Sequence, residues 1–217
     1  MTSYMTTITE ARELFCAAYE NRYTWDKNFP GYTANVTYKR KDQIFTAQVR
    51  VNQNLSAEVL NVDDLEIKKE LHHQLWEIAI HRIRRAFEET HGQNTFTHGE
   101  TDHTGAVELL VGGKSKGDSY KVRKNEICYV RRHIHGVVVT INTFGSHDTG
   151  EGYLPHHYNS VCHDSKTGEL KGGTNNFEDN YEKIGKYYIL TNRIIQTKEQ
   201  GQITTEAFNF TDIQLLH

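Results

Sequence analysis

The chain has 217 residues but only two prolines, Pro30 and Pro155, and three cysteines, Cys16, Cys128 and Cys162. So little proline excludes a collagen-like chain, a mucin-like stalk or a Pro-rich linker. The cysteines are odd in number and far apart, so they form no CxxC pair, no zinc-finger spacing and no disulfide framework. They read as small buried residues of a reducing compartment. A basic excess is also missing: 25 Lys and Arg face 28 Asp and Glu, for a net charge of −3. No basic run exceeds Lys39-Arg40-Lys41. Nucleic-acid binding, which rests on displacing counterions with a basic surface, is therefore not expected. No purely aliphatic run exceeds three residues, as in Val137-Val138-Val139, against the roughly 20 apolar residues of a membrane-spanning helix. The opening Met1 to Thr7 has neither a basic segment nor an apolar one, and Gly is absent at position 2, so neither a secretory signal nor myristoylation is expected.

What is present is enough for a packed core. Leu, Ile, Val and Phe make up 50 of the 217 residues, above the rough 20% floor for a folded chain. Thr7 and Glu10 have capping-box spacing, and Ile8, Ala11, Leu14, Phe15, Ala18 and Tyr19 form one stripe, which predicts a helix over about 8–22. Pro30-Gly31 marks a turn into strands. Three alternating runs over 33–62, with Lys41-Asp42 between the first two, predict three antiparallel strands. Asp63-Asp64 caps a long helix over about 65–90, closed by His91-Gly92 with the glycine left-handed. Its wide apolar stripe (Leu71, Leu75, Trp76, Ile78, Ala79, Ile80, Ile83 and Phe87) suits burial against a sheet.

From 94 to 215 the pattern is a β-meander of six or seven strands. Asp102-His103-Thr104-Gly105, Asp148-Thr149-Gly150 and Asp164-Ser165-Lys166-Thr167-Gly168 are turns built on side-chain acceptors and positive φ. His135-Gly136 predicts a two-residue hairpin turn pairing Ile134 with Val137. That register puts Arg132 on the same face as Cys128, Val130, Ile134, Val139 and Ile141, where a charge needs a partner or a ligand. Strands, a long helix, then a meander make an α+β protein. The expectation is a single domain over 1–217: one curved antiparallel sheet, a half-barrel, with the long helix across its concave side and a helix at the N-terminus.

Thirteen histidines are the compositional outlier, and histidine is the commonest metal ligand. His73, Glu77 and His81 fall on one helix face at i, i+4 spacing. Gln74 and Glu77 stand where HExxH needs Glu and His, so the plainer reading is a polar face of paired side chains. His133-x-His135 would share a strand face only if His135 were not in the turn. His147, Asp148, His156, His157 and His163 cluster near turns without a spacing that demands a metal. Val111-Gly112-Gly113-Lys114-Ser115 lacks the first glycine and the following helix of a phosphate loop. Neither a cofactor nor a catalytic residue is assigned. Twelve tyrosines, among them Tyr153 and Tyr158, suit either cross-strand packing or the wall of a pocket.

Several segments carry a resemblance over nearly the whole chain. They are Phe29-Pro30-Gly31-Tyr32-Thr33-Ala34-Asn35-Val36, Gln74 to Arg82, His133-Ile134-His135-Gly136-Val137-Val138-Val139 and Ser146 to Tyr153. Together they resemble an uncharacterised family of cyanobacteria and plastid-bearing eukaryotes. The resemblance brings no catalytic residues. With no signal segment in view, the location expected is the cytoplasm, or the plastid stroma in a eukaryote. The order of elements is also similar to that of the outer-membrane lipoprotein carriers (LolA-like), half-closed sheets whose concave face holds acyl chains. The function expected is non-enzymatic binding or carriage of a hydrophobic or amphipathic ligand. Trp76 would help to form the lid, Arg132 would pair an acidic head group, and Tyr153 and Tyr158 would line the pocket. A protein-partner scaffold, accepting a strand at a free sheet edge, and a metal-dependent enzyme using the His-rich turns stand as alternatives.

Overall fold

The computed structural model describes residues 2–217, with side chains from Glu10 onward. The elements run α1 Thr2–Glu20, β1 Gly31–Arg40, β2 Gln43–Asn52, β3 Ala57–Leu60, α2 Leu65–Ile80 and α3 Phe87–His91. Then come β4 Asn94–Thr101, β5 Val107–Gly113, β6 Ser119–Arg123, β7 Glu126–Ile134, β8 Val137–Asp148 and β9 Tyr153–Asp164. Three long strands finish the chain: β10 Leu170–Ile184, β11 Tyr187–Glu199 and β12 Gln202–Leu215. All twelve strands belong to one antiparallel sheet in the order β3-β2-β1-β12-β11-β10-β9-β8-β7-β6-β5-β4. The protein is thus the α+β type that the sequence predicts. Among the described residues no helix is long and apolar enough to cross a membrane.

The contacts gather the chain into two compact units. The first comprises Met1–Tyr23, Arg85–Asn176 and Lys198–Gly201. Here α1 lies on β4, β6 and β7 because its stripe meets the inward residues of those strands. Ala11, Phe15, Ala18 and Tyr19 pack with Phe96, Leu109, Val111, Tyr120 and Val122, and α3 adds Phe87. The Phe15 ring sits 4.4 Å from that of Tyr120 and 4.9 Å from that of Phe96, so the space beneath α1 is filled by aromatic rings. Buried His91 completes the shell; its Nδ1 accepts from Asn94 Nδ2 at 3.2 Å.

The second unit comprises Thr24–Arg84, Phe177–Thr197 and Gln202–His217. Its centre is β1, whose Ala34, Val36 and Tyr38 point inward at period 2, between Ala47, Val49 and Val51 of β2 and Phe208 and Phe210 of β12. Gly31 opens β1 at φ +90, and a Cβ there would strike the Val51 carbonyl, so only glycine fits this close approach. Asp64 caps α2 by accepting from Glu66 N and Ile67 N, and Ile67, Leu71, Leu75 and Ile78 form the buried face of α2, which lies against β2 and β3.

Several local expectations change. The helix α1 begins at Thr2, so Thr7 stands inside it rather than at its cap; the side chains of Thr7 and Ile8 lie outside those described. The helix expected over 65–90 is two helices. It stops at Ile80 because Arg82 N turns to Ala79 O and the Arg82 carbonyl instead accepts from Trp25 N at 2.8 Å, with Ile83 bridged to Trp25. A tertiary strand pairing outcompetes helical continuation where three arginines crowd four positions, Arg82 to Arg85. Gly92 closes α3 in the right-handed region, φ −59, not the left-handed one. The meander holds nine strands, because runs without strict alternation, such as Leu170–Ile184, are strands too. The hairpin register, by contrast, is the expected one, with Ile134 opposite Val137 and His133 opposite Val138.

Candidate functional site

The first unit contains a pocket of about 290 Å³ at the hairpin end of β6 and β7. It is built by two interruptions of strand pairing. Opposite β6, Lys121 pairs with Tyr129 and Val122 with Ile127, which leaves Cys128 as an extra residue in β7. In β8, Thr143 pairs with Tyr158 and Gly145 with His157, which leaves Phe144 unopposed, and Ser146 then shifts to Pro155. Bulges of this kind bend a strand and re-aim its side chains. Here they turn Cys128, Thr143, Phe144, Gly145 and Ser146 to one place, together with Arg123, Lys124 and Glu126 of the hairpin and Thr104 of the β4–β5 turn. Lys124 and Asn125 both have positive φ (52° and 60°), the conformation of a tight two-residue turn.

The chemistry of the lining is mixed. Phe144 is 55% exposed, with its ring 5.3 Å from that of His157. Burial pushes the Cys128 thiol up, so it stays neutral at neutral pH, and its Sγ faces the Lys121 carbonyl at 3.5 Å. Arg123 and Lys124 form no ion pair with any described carboxylate. Thr104 is fixed by Asp102, whose Oδ1 accepts from Thr104 Oγ1 at 2.6 Å, while Lys121 Nζ reaches Oδ2 at 3.0 Å. Those hydrogen bonds, Thr104's first, hold the Asp102 carboxyl well below the usual carboxylate range. Ser146 Oγ is fully shielded and has no hydrogen-bond partner, the one such side-chain atom among the described residues. A hydroxyl in that condition costs about 1–3 kcal/mol unless something else supplies its bond.

Two further polar clusters are structural. Buried Asp118 accepts from His133 N at 2.9 Å and from His133 Nδ1 at 3.0 Å, with Arg132 Nε 3.8 Å from its other oxygen. This pins the β5–β6 turn onto β7. In the second unit Arg193 is gripped by Asp179, Nε to Oδ1 at 2.8 Å and Nη2 to Oδ2 at 2.7 Å, and its Nη1 donates to Gln74 Oε1 of α2 at 2.9 Å. Tyr181 donates to Asp179 at 3.3 Å and accepts from Arg82 at 3.2 Å. Burial pushes the Tyr181 hydroxyl far up, so it remains a neutral donor.

The residues singled out from the sequence fall as follows. Trp76 is half exposed and stacks beside His73 on the outer side of α2. Arg132 is half exposed and has found its partner, Asp118. Tyr153 is buried; its hydroxyl accepts from Ile127 N at 3.0 Å, and burial pushes it up to about 12. Tyr158 sits opposite Thr143, a residue of the pocket. His73 and Glu77 form an i, i+4 pair at 3.7 Å, while His81 caps the end of α2. His157 touches Phe144, and His147 and His156 lie on β8 and β9 nearby in sequence. Among the described residues no three His, Cys, Asp or Glu side chains come together as a metal-holding group.

Sequence reasoning missed Arg123, Phe144 and Ser146, because bulges are not visible until register is known; Gly145 inside a strand was the only hint. Arg193 was legible by the argument used for Arg132, since it alternates with Ile189 and Ile195 on the buried side of β11.

Fold and pocket together define a class: an α+β protein on one antiparallel sheet, with a small ligand-sized pocket at paired β-bulges. Residues 6–216 match the family described as protein of unknown function, DUF3386, and the chain belongs to that family. No curated protein matches it. Among solved structures, the chain is similar to a putative outer membrane lipoprotein-sorting protein domain from Vibrio parahaemolyticus, with 11% identity, coverage of 96% of this chain and 93% of that one, and a TM-score of 0.31. It is similar at 8% identity to a DUF1329 family protein from Desulfovibrio piger ATCC 29098, covering 96% and 93%, with a TM-score of 0.30. A LolA superfamily protein, NE2245, from Nitrosomonas europaea gives 9% identity, 95% and 94% coverage and a TM-score of 0.28. Scores this low transfer no ligand and no role.

Proposed function

We propose that this protein is a non-enzymatic binding protein for a small amphipathic molecule, held in the pocket between the bulges of β7 and β8. The observation that carries the reading is the pocket's lining, which sets an aromatic ring and a neutral thiol beside two cations that form no ion pair. Cations that the fold leaves unmet, beside an apolar wall, are what an amphipathic ligand satisfies. The space beneath α1 is already filled by the rings of Phe15, Phe96 and Tyr120, so the ligand is assigned to the bulge pocket instead. At about 290 Å³ the pocket sits at the bottom of the roughly 300–1,000 Å³ range of small-molecule sites, which suits one ring or a short chain.

Native mass spectrometry of the purified chain against its denatured mass tests this. The expected result is an excess mass that extracts into organic solvent and disappears in Phe144→Asp. Retention of the same excess mass by Phe144→Asp would place the ligand elsewhere and overturn the reading.

A further inference from the structure

We propose that the ligand of this pocket is an anion: a short apolar body ending in a carboxylate or phosphate held by Arg123 and Lys124. The inference rests on the binding reading above and names its ligand class. Three features carry it. The first is charge: Arg123 and Lys124 face the pocket with only Glu126 against them, leaving one net positive charge in the lining. The second is the direction of the hydrogen bonds on offer. Guanidinium and ammonium groups only donate, so the open positions favour an acceptor-rich group. Thr104 does not compete, since its hydroxyl already donates to Asp102. The third is the neutral Cys128 thiol beside the exposed Phe144 ring, a soft wall that suits a hydrocarbon body.

The arrangement is selective by construction. An alcohol of the same length fills the apolar half of the pocket and leaves the two cations to solvent. A cationic amphiphile brings a like charge to them. A carboxylate or phosphate takes charge-assisted bonds from the guanidinium and ammonium groups. Lys124 is exposed and Arg123 half-buried, so their pull on the ligand weakens as salt rises.

The experiment is calorimetric titration of the full chain with octanoate, octyl phosphate and octan-1-ol, with alkylation of Cys128 by iodoacetamide, mapped by peptide mass, as the positional readout. The expected result is that at least one of the two anions binds ten-fold or more tightly than the alcohol and slows alkylation of Cys128. Arg123→Gln/Lys124→Gln then removes that advantage and leaves the alcohol's affinity unchanged, with far-UV circular dichroism verifying the fold of the variant. Preference for octanoate over octyl phosphate assigns a carboxylate, and the reverse assigns a phosphate. Equal affinity for alcohol and anions, with Cys128 protected by all three, overturns the anion assignment and leaves the binding reading standing. Anion-selective binding that leaves Cys128 unprotected overturns this site. If none of the three binds, the binding reading falls as well.

Discussion

Two residues in the first unit hold opposite positions in the trade between stability and function. Ser146 is a hydroxyl buried without a bond, so the fold bears its desolvation for no internal return. Ser146→Ala therefore raises the unfolding free energy of the protein by up to about 1 kcal/mol, read as a higher urea midpoint. A variant that is less stable than the parent would show that the hydroxyl is satisfied after all. His91 is the reverse case, a titratable group whose neutrality the core requires. Burial among aromatic rings, with Arg132 and Arg22 nearby, pushes it down to about 4 from 6.5. The unfolded chain takes up this proton near pH 6.5 and the folded one only near 4, so between those values the unfolded state binds more protons. This group's contribution is therefore complete above pH 6.5 and is lost as pH falls toward 4, on the order of 3 kcal/mol in all. Urea midpoints at pH 7 and 4.5 should differ in the parent and differ much less in His91→Gln. An equal shift in both proteins would assign the acid sensitivity to other groups.

At the scale of elements, what was legible in the sequence was whatever local chemistry decides. The three aspartate turns form as read: Asp102 accepts from Thr104 N, Asp148 from Gly150 N and Asp164 from Lys166 N and Thr167 N. The Asp64 cap and the register at His135-Gly136 were equally local. What escaped is what distant chain decides. The end of α2 is set by Trp25, which lies 57 positions before Arg82 yet takes that residue's carbonyl, and the pocket is set by bulges whose partner strands fix the count. The anchoring of α2 belongs to the same class. Gln74 on α2 meets Arg193 of β11, which is held by Asp179 of β10, and both charges are buried. Arg193→Met leaves the Asp179 carboxylate without its counter-charge and costs about 3–5 kcal/mol. Removing both charges in Arg193→Met/Asp179→Leu recovers most of that loss, because no buried orphan charge remains; Glu77, 3.8 Å from Arg193, is partly exposed to solvent. Chemical denaturation of the two variants decides it: a double variant as unstable as the single one would mean that the pair itself stabilises the protein.

At the scale of the whole chain, the second unit is completed by its two most distant strands. The register sets Tyr32 opposite Leu215 and Val36 opposite Phe210, so β1 waits for the last residues of the sequence before its second edge is paired. Tyr38 stacks on Phe208 with ring centroids 4.4 Å apart, and its hydroxyl donates to the Glu206 carboxylate, so this seam is specific as well as apolar. Hairpins such as β1–β2 close over a few residues, whereas β1–β12 closes over nearly the full length and carries a larger entropic cost before any contact repays it. That ordering makes the β1–β12 seam a late event in folding. Phe208→Leu, a truncation at a fully buried site, should cost on the order of 1–2 kcal/mol. If the seam forms after the rate-limiting step, nearly all of that cost appears as faster unfolding while the folding rate stays within about two-fold of the parent. Stopped-flow refolding and unfolding in urea, followed by the fluorescence of Trp25 and Trp76 in the same unit, reads both limbs. A folding limb slowed in proportion to the stability lost would place Phe208 in the nucleus, and β12 would then have to find β1 before the hairpins between them are complete.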